Sequence, residues 1–332
     1  RGDGWHAPSF RPDGGALVDS HSSVDMPTRR SWISCPADTR SFEIDAVELN
    51  LPGGLQPSQV LTIPAKDGYP LPAVIHPPLG DVPASGAPLL VEIYGGPQSA
   101  SASNRWRETT RLYREWLNRR GVGVLVVDNR SSAARGSGDS WPIAGQFGAI
   151  ELDDTLAAVN WLQNHRDWVD ADRIAINGWS FGGYMVTYAM THSDVFAAGI
   201  AGGSVTDWRE YDAFYTERYM GLPQTNPDGY RAGGVLASAN KLSGDLLLIH
   251  GEVDDNVHPT GTLRLADRLQ RAGIPFDLMI YTSAAHGVRD PNQVWHLRQT
   301  IDRFLTRSLD LAEIASDSHS RGGGDSETRK TP

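Results

Sequence analysis

The sequence predicts an α/β protein built on a doubly wound, mostly parallel sheet with helices on both faces. Two observations support this: short, near-continuous apolar segments recur along the chain, and longer amphipathic segments separate them. A strand covered on both faces needs apolar side chains on both, and such strands belong to parallel sheets. Alternation of these strands with helices is typical of βαβ units.

Six strands and five helices are predicted from residue 89 onward. The strands are residues 89–94, 123–127, 173–177, 198–201, 246–250 and 276–281. The helices are residues 104–120, 151–164, 182–190, 261–271 and 292–309. In the second helix, apolar residues recur at i, i+4, i+7 and i+10 from Leu152, along one helical face.

The first 50 residues contain short β-type runs at 16–19 and 41–44, too few strands for an independent sheet. A hairpin is predicted over 59–76, with its turn at Asp67-Gly68. We therefore expect a separate N-terminal unit over residues 1–50, an α/β domain over 51–311 and a disordered tail over 312–332, which lacks apolar periodicity.

Composition excludes several classes of protein. Hydrophobic residues make up 39% of the 332 residues, which provides a core and excludes a disordered chain. The net charge of −10 disfavours binding to nucleic acid or anionic lipid, because phosphates would be repelled. No apolar run approaches the ~20 residues needed to span a bilayer. We expect no nucleic-acid partner and no membrane segment.

The single cysteine, Cys35, excludes an internal disulfide and a cysteine-ligated zinc site. No glycine-rich turn or helix start follows it that would activate its thiol, so we interpret it as a structural residue. We expect neither a metal nor a cofactor.

The strongest functional signal is Gly178-Trp-Ser180-Phe-Gly182, a Gly-x-Ser-x-Gly sequence between an apolar strand and a helix. A sharp strand-to-helix turn strains the serine, and the flanking glycines avoid clashes. The Ser180 hydroxyl is then exposed at the start of the helix, where the amide of Phe181 can stabilise an oxyanion. The pentapeptide also occurs by chance in loops, but the strand–turn–helix context favours a nucleophile.

A serine nucleophile needs a histidine base oriented by a carboxylate, in the chain order Ser, Asp or Glu, His on this type of fold. His286 follows the last predicted strand and is the predicted base. Asp254 and Asp255 follow the strand before it, and the residues alone do not choose between them. His250 and His258 share that loop and break the expected order, which favours a structural or substrate-side role.

A second oxyanion donor is expected in the loop after an earlier strand. Tyr94 ends the predicted strand 89–94, and the Gly-Gly turn that follows fits that place. The alternative is that Tyr94 is only an aromatic residue at a strand end.

Together, Gly-Trp-Ser180-Phe-Gly-Gly-Tyr, Tyr94-Gly-Gly-Pro, Asp254-Asp-Asn-Val-His and His286-Gly resemble the prolyl oligopeptidase family of serine peptidases, which has the α/β-hydrolase fold. Residues 207–223, which begin Asp-Trp-Arg-Glu-Tyr, are similar to the dipeptidyl peptidase IV branch. The resemblance covers residues 60–309, with several independent motifs in matching order.

The resemblance implies a role for each of these residues. Ser180 would be the nucleophile, His286 the base and Asp254 the carboxylate that orients it. The Tyr94 hydroxyl and the Phe181 amide would form the oxyanion hole. Asn256 would contact the substrate backbone, and five residues would line the pocket for the residue before the scissile bond: Val205, Trp208, Tyr211, Tyr215 and Val257.

The spacing of the aromatic residues supports the implied pocket only in part. Trp208, Tyr211 and Tyr215 recur at i, i+3 and i+7, which predicts one helical face and fits core packing equally well. Aromatic walls suit a proline ring, which is apolar and has no N–H to satisfy.

The predicted function is a serine peptidase that cleaves after a penultimate proline or alanine and releases dipeptides through an acyl-enzyme. An esterase or other acyl hydrolase on the same fold is the alternative, and a non-catalytic partner-binding module is the third hypothesis. By resemblance, a β-propeller in cis would gate the site, and residues 1–50 look like the end of its last blade. We therefore expect a longer protein; the resemblance also allows a homodimer and favours a periplasmic or secreted location.

Overall fold

The computed structural model describes residues 3–35, 41–133 and 135–313. The strands are β1 (Trp5–Phe10), β2 (Ala16–Ser23), β3 (Met26–Ser34), β4 (Ser41–Ala46), β5 (Gln59–Pro64), β6 (Pro70–His76), β7 (Ala87–Glu92), β8 (Gly123–Val127), β9 (Val169–Trp179), β10 (Ala198–Gly202), β11 (Asp245–Gly251) and β12 (Asp277–Tyr281). The helices are α1 (Glu108–Arg119), α2 (Ala149–His165), α3 (Phe181–His192), α4 (Ala213–Met220), α5 (Pro227–Ala232), α6 (Thr260–Arg271) and α7 (Pro291–Ser308).

The larger sheet has eight strands in the order β12-β11-β10-β9-β7-β8-β6-β5. The strands from β12 to β8 pair in parallel, and β6 and β5 pair antiparallel at one edge. This arrangement, with helices on both faces, is the α/β-hydrolase fold, and the predicted fold class is confirmed.

The central strand β7 shows how the sheet is held between two cores. Leu89 and Val91 pack into the core that contains α2, α3 and α6, whereas Leu90 packs into the opposite core with α1 and α7. All three side chains are fully buried, and each contributes roughly 1.5–3 kcal/mol by leaving water. This burial fixes the strand ends from which the candidate site residues extend.

The N-terminal segment forms its own antiparallel sheet in the order β1-β2-β3-β4. Strands β1 and β3 were not predicted, because Pro8 interrupts one and the adjacent Arg29 and Arg30 remove the apolar pattern of the other. The sheet contacts the larger domain through Asp25, which accepts hydrogen bonds from Ser58 and from Arg111.

The predicted domain limits stay predictions, and residues 314–332 of the predicted tail lie outside the described residues.

Two further predictions about helices need correction. Helix α1 begins at Glu108 instead of residue 104, because the Asn104 side chain accepts a hydrogen bond from the Val24 amide at 2.9 Å. Helix α5 was not predicted, and α4 contains only Tyr215 of the three aromatic residues whose spacing predicts one helical face; Asp212 and Asn226 cap the N-termini of α4 and α5. Across the described ranges, no helix is long and apolar enough to cross a membrane.

Candidate active site

Ser180 lies in the sharp turn between β9 and α3. Its φ of 62° and ψ of −120° place a non-glycine residue in a strained conformation, which costs about 1–3 kcal/mol. A Cβ atom on Gly178 would lie 2.4 Å from the Gly182 oxygen, and one on Gly182 would lie 2.5 Å from the Ile93 oxygen. Only glycine fits at both positions, so the turn presents the Ser180 hydroxyl at the start of α3.

The structure brings Ser180, His286 and Asp254 into one chain of hydrogen bonds. His286 Nε2 lies 2.8 Å from Ser180 Oγ, and His286 Nδ1 lies 2.8 Å from Asp254 Oδ2. Since a carboxylate only accepts, Nδ1 carries the hydrogen and Nε2 is left to accept the Ser180 proton. Asp254 is 3% exposed, whereas Asp255, the alternative acid, is exposed.

The second oxygen of Asp254 is held by its own loop. Asp254 Oδ1 accepts the backbone N–H groups of Asn256 and Val257 at 3.0 and 2.9 Å. Both oxygens of the carboxylate are therefore fixed, and the carboxylate orients His286 without having to rearrange.

His250, at the end of β11, is fully buried beside the same carboxylate. His250 Nε2 lies 2.8 Å from the Val257 carbonyl oxygen and 3.3 Å from Asp254 Oδ2, and Nδ1 lies 2.8 Å from Thr262 Oγ1. Because a carbonyl oxygen only accepts, Nε2 is the donor. Burial lowers the pKa of His250 and keeps it neutral. His250 therefore braces the Asp254 loop, which corresponds to the structural one of its two predicted roles.

The two predicted oxyanion donors lie beside Ser180. Burial raises the pKa of Tyr94, and a hydrogen bond to Ser180 offsets part of that rise. The phenol therefore stays protonated and able to donate. The Tyr94 ring packs on Phe181 at a centroid distance of 6.2 Å, and Phe181 is the first residue of α3, so its amide lies at the positive end of the helix dipole.

The aromatic residues of the predicted pocket meet, although not as predicted. The prediction of one helical face is wrong: Trp208 lies in a 3₁₀ turn capped by Asp207, and Tyr215 lies in α4, capped by Asp212. The caps interrupt the helix, and Tyr211 between them is extended. The three rings still contact one another, with centroid distances of 5.5 to 6.5 Å.

A cavity of about 260 Å³ opens beside these rings, lined in part by Val205, Tyr211 and Val257. Trp208 does not line it; this side chain is 1% exposed and supports the pocket from the core. The Tyr211 hydroxyl donates to Asn256 Oδ1 at 3.1 Å. The bond leaves the amide nitrogen of Asn256 as the group that can donate to a substrate carbonyl.

One contact was missed from the sequence. The Trp179 indole N–H donates to the His286 carbonyl oxygen at 2.6 Å. The Trp179 ring packs against Gly202, where an added Cβ atom would lie 2.0 Å from the ring. Trp179 thus ties the histidine loop to the turn that carries Ser180. The only sequence signal for this contact was the aromatic residue directly before Ser180. In the described parts of the chain, no group of three or more His, Cys, Asp or Glu side chains could hold a metal ion.

A strained serine at a strand–helix turn, with a histidine and a buried aspartate on later strand ends, defines an α/β-hydrolase with a Ser–His–Asp arrangement. The model of the prolyl oligopeptidase family, peptidase S9, matches residues 108–312. The chain belongs to this family, which confirms the resemblance.

Named relatives support the dipeptidyl peptidase branch. Dipeptidyl peptidase 8 of Mus musculus is 37% identical over 257 residues, which cover 76% of this chain and 29% of the relative. Venom dipeptidyl peptidase 4 of Vespa velutina is 35% identical over 230 residues, 68% of this chain and 29% of the relative. The crystal structure of Porphyromonas gingivalis dipeptidyl peptidase 4 superposes with a TM-score of 0.82 at 32% identity, covering 92% of this chain and 43% of that chain. The chain thus spans less than half the length of each of these relatives.

Proposed function

We propose that this chain is the catalytic unit of a serine dipeptidyl peptidase that hydrolyses the peptide bond after a penultimate proline or alanine. The observation that carries the proposal is the hydrogen-bond chain from Ser180 through His286 to Asp254, built on a strained turn. The names of the relatives supply the reaction class. The proline or alanine preference is supported by the aromatic cluster that packs against Phe181, the residue after Ser180.

In the proposed acylation step, Ser180 Oγ attacks the scissile carbonyl carbon while His286 Nε2 takes the hydroxyl proton. The tetrahedral oxyanion accepts hydrogen bonds from the Tyr94 hydroxyl and the Phe181 amide. His286 then gives the proton to the leaving amine as the C–N bond breaks, which leaves an ester on Ser180. Asp254 stabilises the imidazolium that forms during these transfers.

In the proposed deacylation step, water replaces the leaving amine and gives its proton to His286 Nε2 as its oxygen attacks the ester. Collapse of the second tetrahedral intermediate returns the proton to Ser180 and releases the acyl product. The product ring would leave the pocket beside Val205, Tyr211 and Val257, and Asn256 would release its carbonyl oxygen.

The test compares turnover of dipeptidyl-proline anilides with turnover of short-chain acyl esters by the full 332-residue chain. We expect hydrolysis of the anilide, and labelling of Ser180 by a fluorophosphonate. Ester hydrolysis without anilide hydrolysis would indicate the alternative acyl hydrolase. Failure of the probe to label Ser180 would indicate a non-catalytic module on the same fold.

Selectivity for dipeptides needs a group that binds the substrate's free amine at a fixed distance from Ser180. We propose that a β-propeller in cis supplies it, with the antiparallel sheet β1–β4 as the blade nearest the catalytic domain. Parallel assays on free and N-acetylated proline anilides test this. Similar rates on both substrates support an amine site outside this chain, and a strong preference for the free amine places it within these residues.

A further inference from the structure

A second cavity, of about 350 Å³, is lined by Tyr94 and by Gly178 and Trp179, the two residues that precede Ser180. Tyr94 forms a hydrogen bond with Ser180, and Trp179 directly precedes Ser180 in the chain. Helices α1 and α7 contribute the outer wall. The cavity beside the aromatic rings shares no lining residue with this one, so the two cavities are separate compartments.

The lining of this second cavity is strongly cationic. It includes Arg107, Arg114 and Arg298, against the single carboxylate of Glu92. Glu92 is already used, because its Oε2 atom accepts from Arg114 Nε and Nη2 at 2.9 and 2.5 Å. Two positive charges are left unbalanced in a chain whose net charge is −10.

Neither remaining arginine forms an ion pair with any other residue that the structure describes. Arg107 donates only a long hydrogen bond, 3.4 Å, to the Ala100 carbonyl oxygen, and the Arg298 guanidinium stacks 4.0 Å over the Tyr113 ring. The nearby Asp128 carboxylate is occupied by the backbone N–H groups of the Ser101 turn. Both guanidinium groups therefore keep donors for an anion.

The electrostatics at Arg107 favour an incoming negative charge. Partial desolvation, reinforced by the positive charges of Arg114 and Arg105 and only partly offset by Asp128 and Glu92, lowers the pKa of Arg107. A carboxylate beside Arg107 would offset this repulsion and stabilise the charged form of the side chain, which burial disfavours. Arginine suits that partner, because its planar group pairs with both oxygens of a carboxylate.

Tyr94, a proposed oxyanion donor, and Trp179 line this cavity, so the leaving side of a peptide bound at Ser180 would have the arginine cavity within reach. We propose that the arginine cavity, lined by Arg107 and Arg298, is a leaving-group subsite that selects a carboxylate one or two residues beyond the scissile bond. The carboxylate belongs to an acidic side chain or to the C-terminus of a short peptide. This inference rests on the proposed peptidase function.

The test uses the full chain and two matched peptide pairs. Gly-Pro-Glu-Ala-amide against Gly-Pro-Gln-Ala-amide varies only the side-chain charge, and Gly-Pro-Ala acid against its amide varies only the C-terminal charge. We expect about tenfold higher kcat/KM for the charged member of at least one pair, the ratio given by one charge-assisted hydrogen bond. Whichever pair responds identifies the source of the carboxylate.

Variants assign that ratio to the cavity. Arg107→Gln and Arg298→Gln are expected to bring it close to one, and raised salt should lower it in the unaltered protein. Arg303→Gln is the matched control, because it removes one exposed positive charge on α7 but outside the cavity lining. A ratio that the control changes as much as the cavity variants overturns the proposal.

A binding measurement separates failure of this inference from failure of the proposed function. In Ser180→Ala protein, which cannot turn over, calorimetry is expected to give an about tenfold lower Kd for the charged peptides. If the unaltered chain hydrolyses no peptide, the proposed function fails while this binding test still decides the subsite. Hydrolysis or binding with equal values for both members of each pair, or no binding of any peptide, overturns the subsite alone.

Discussion

The aromatic pocket and the arginine cavity differ in the chemistry of the side chains that form them. On the acyl side, neutral rings of Trp208, Tyr211 and Tyr215 pack at 5.5 to 6.5 Å. On the leaving side, Arg107 and Arg298 present charge that no described carboxylate neutralises at ion-pair distance. Burial of apolar surface is nearly independent of salt, whereas exposed charges are screened beyond about 10 Å at 0.1 M salt. The two halves of a substrate can therefore be tested independently.

The difference follows from the two faces of the sheet. The aromatic pocket rests on the core that contains Phe147 and Phe181, whose rings pack 4.6 and 5.2 Å from Trp208. The arginine cavity lies on the α1 and α7 face, where long side chains leave space between helix and sheet. Packed rings thus fix the shape of the aromatic pocket, whereas the guanidinium groups determine the charge of the arginine cavity.

The largest effect is expected when the nucleophile is removed and both cavities are left intact. Ser180→Ala should lower kcat for proline anilides by about 10⁶-fold, the loss seen when a triad serine is removed. Steady-state hydrolysis measures the loss, and thermal unfolding checks that the variant folds. Near-normal turnover by the variant would remove Ser180 from its proposed role.

Asp254→Asn should follow, with a loss of about 10⁴-fold in kcat, because an amide in place of the carboxylate favours the wrong imidazole tautomer. Asp255→Asn is the matched control, since this neighbouring carboxyl group is exposed and Asp254 is buried. The loss in kcat should be the same for every substrate, because the change affects the triad and neither cavity. If Asp255→Asn is the inactive variant, the assignment of the orienting carboxylate is one residue out.

A smaller effect sharpens the contrast between the compartments. Tyr211→Phe keeps the ring but removes the hydrogen bond to Asn256 Oδ1, so kcat/KM for proline anilides should fall about fivefold, the value of one neutral hydrogen bond. The factor should be the same at low and high salt. Tyr215→Phe, which leaves the Tyr211–Asn256 bond in place, is the control. A loss that disappears at high salt would show that charge, and not shape, governs the acyl side.

The parts of the site that could be predicted from sequence are those with local constraints. Gly178, Ser180 and Gly182 lie within five residues, and close approach of backbone to backbone allows only glycine at two of them. His286 was predicted from its place after the last strand. The choice between Asp254 and Asp255 is a matter of burial, which neighbouring identical residues do not show in sequence.

The other parts depend on long-range packing. Arg107 directly precedes α1, whereas Arg298 lies on α7, far along the chain. Only the packing of these two helices against the sheet brings both residues to one cavity. The aromatic pocket was implied by the family resemblance. The spacing of Trp208, Tyr211 and Tyr215 indicated one helical face, but two capping aspartates, Asp207 and Asp212, divide the segment. The rings meet because they share a core.

The smallest expected effect concerns the support beneath the aromatic pocket. Glu151 is fully buried; its Oε2 atom accepts from the Gly148 amide at 2.9 Å, and no partner of Oε1 is found among the described residues. Burial, with a contribution from the Asp154 charge, raises the pKa of Glu151 to about 8. Its negative charge would also lie close to Tyr184, whose ring packs against Trp208.

A folded-state pKa above the unfolded value of 4.5 means that the folded protein holds a proton which the unfolded chain releases. The stability contributed by neutral Glu151 is therefore complete below pH 4.5 and is lost as the pH rises through about 8. Glu151→Gln removes this titration, so its Tm should fall less than that of the unaltered protein between pH 5 and pH 8.5, by a few °C. Glu48→Gln, at an exposed position, is the control. Parallel Tm curves for the Glu151→Gln variant and the unaltered protein would mean that this carboxyl group is already ionised beneath the pocket, and that the aromatic side, like the leaving side, contains an uncompensated charge.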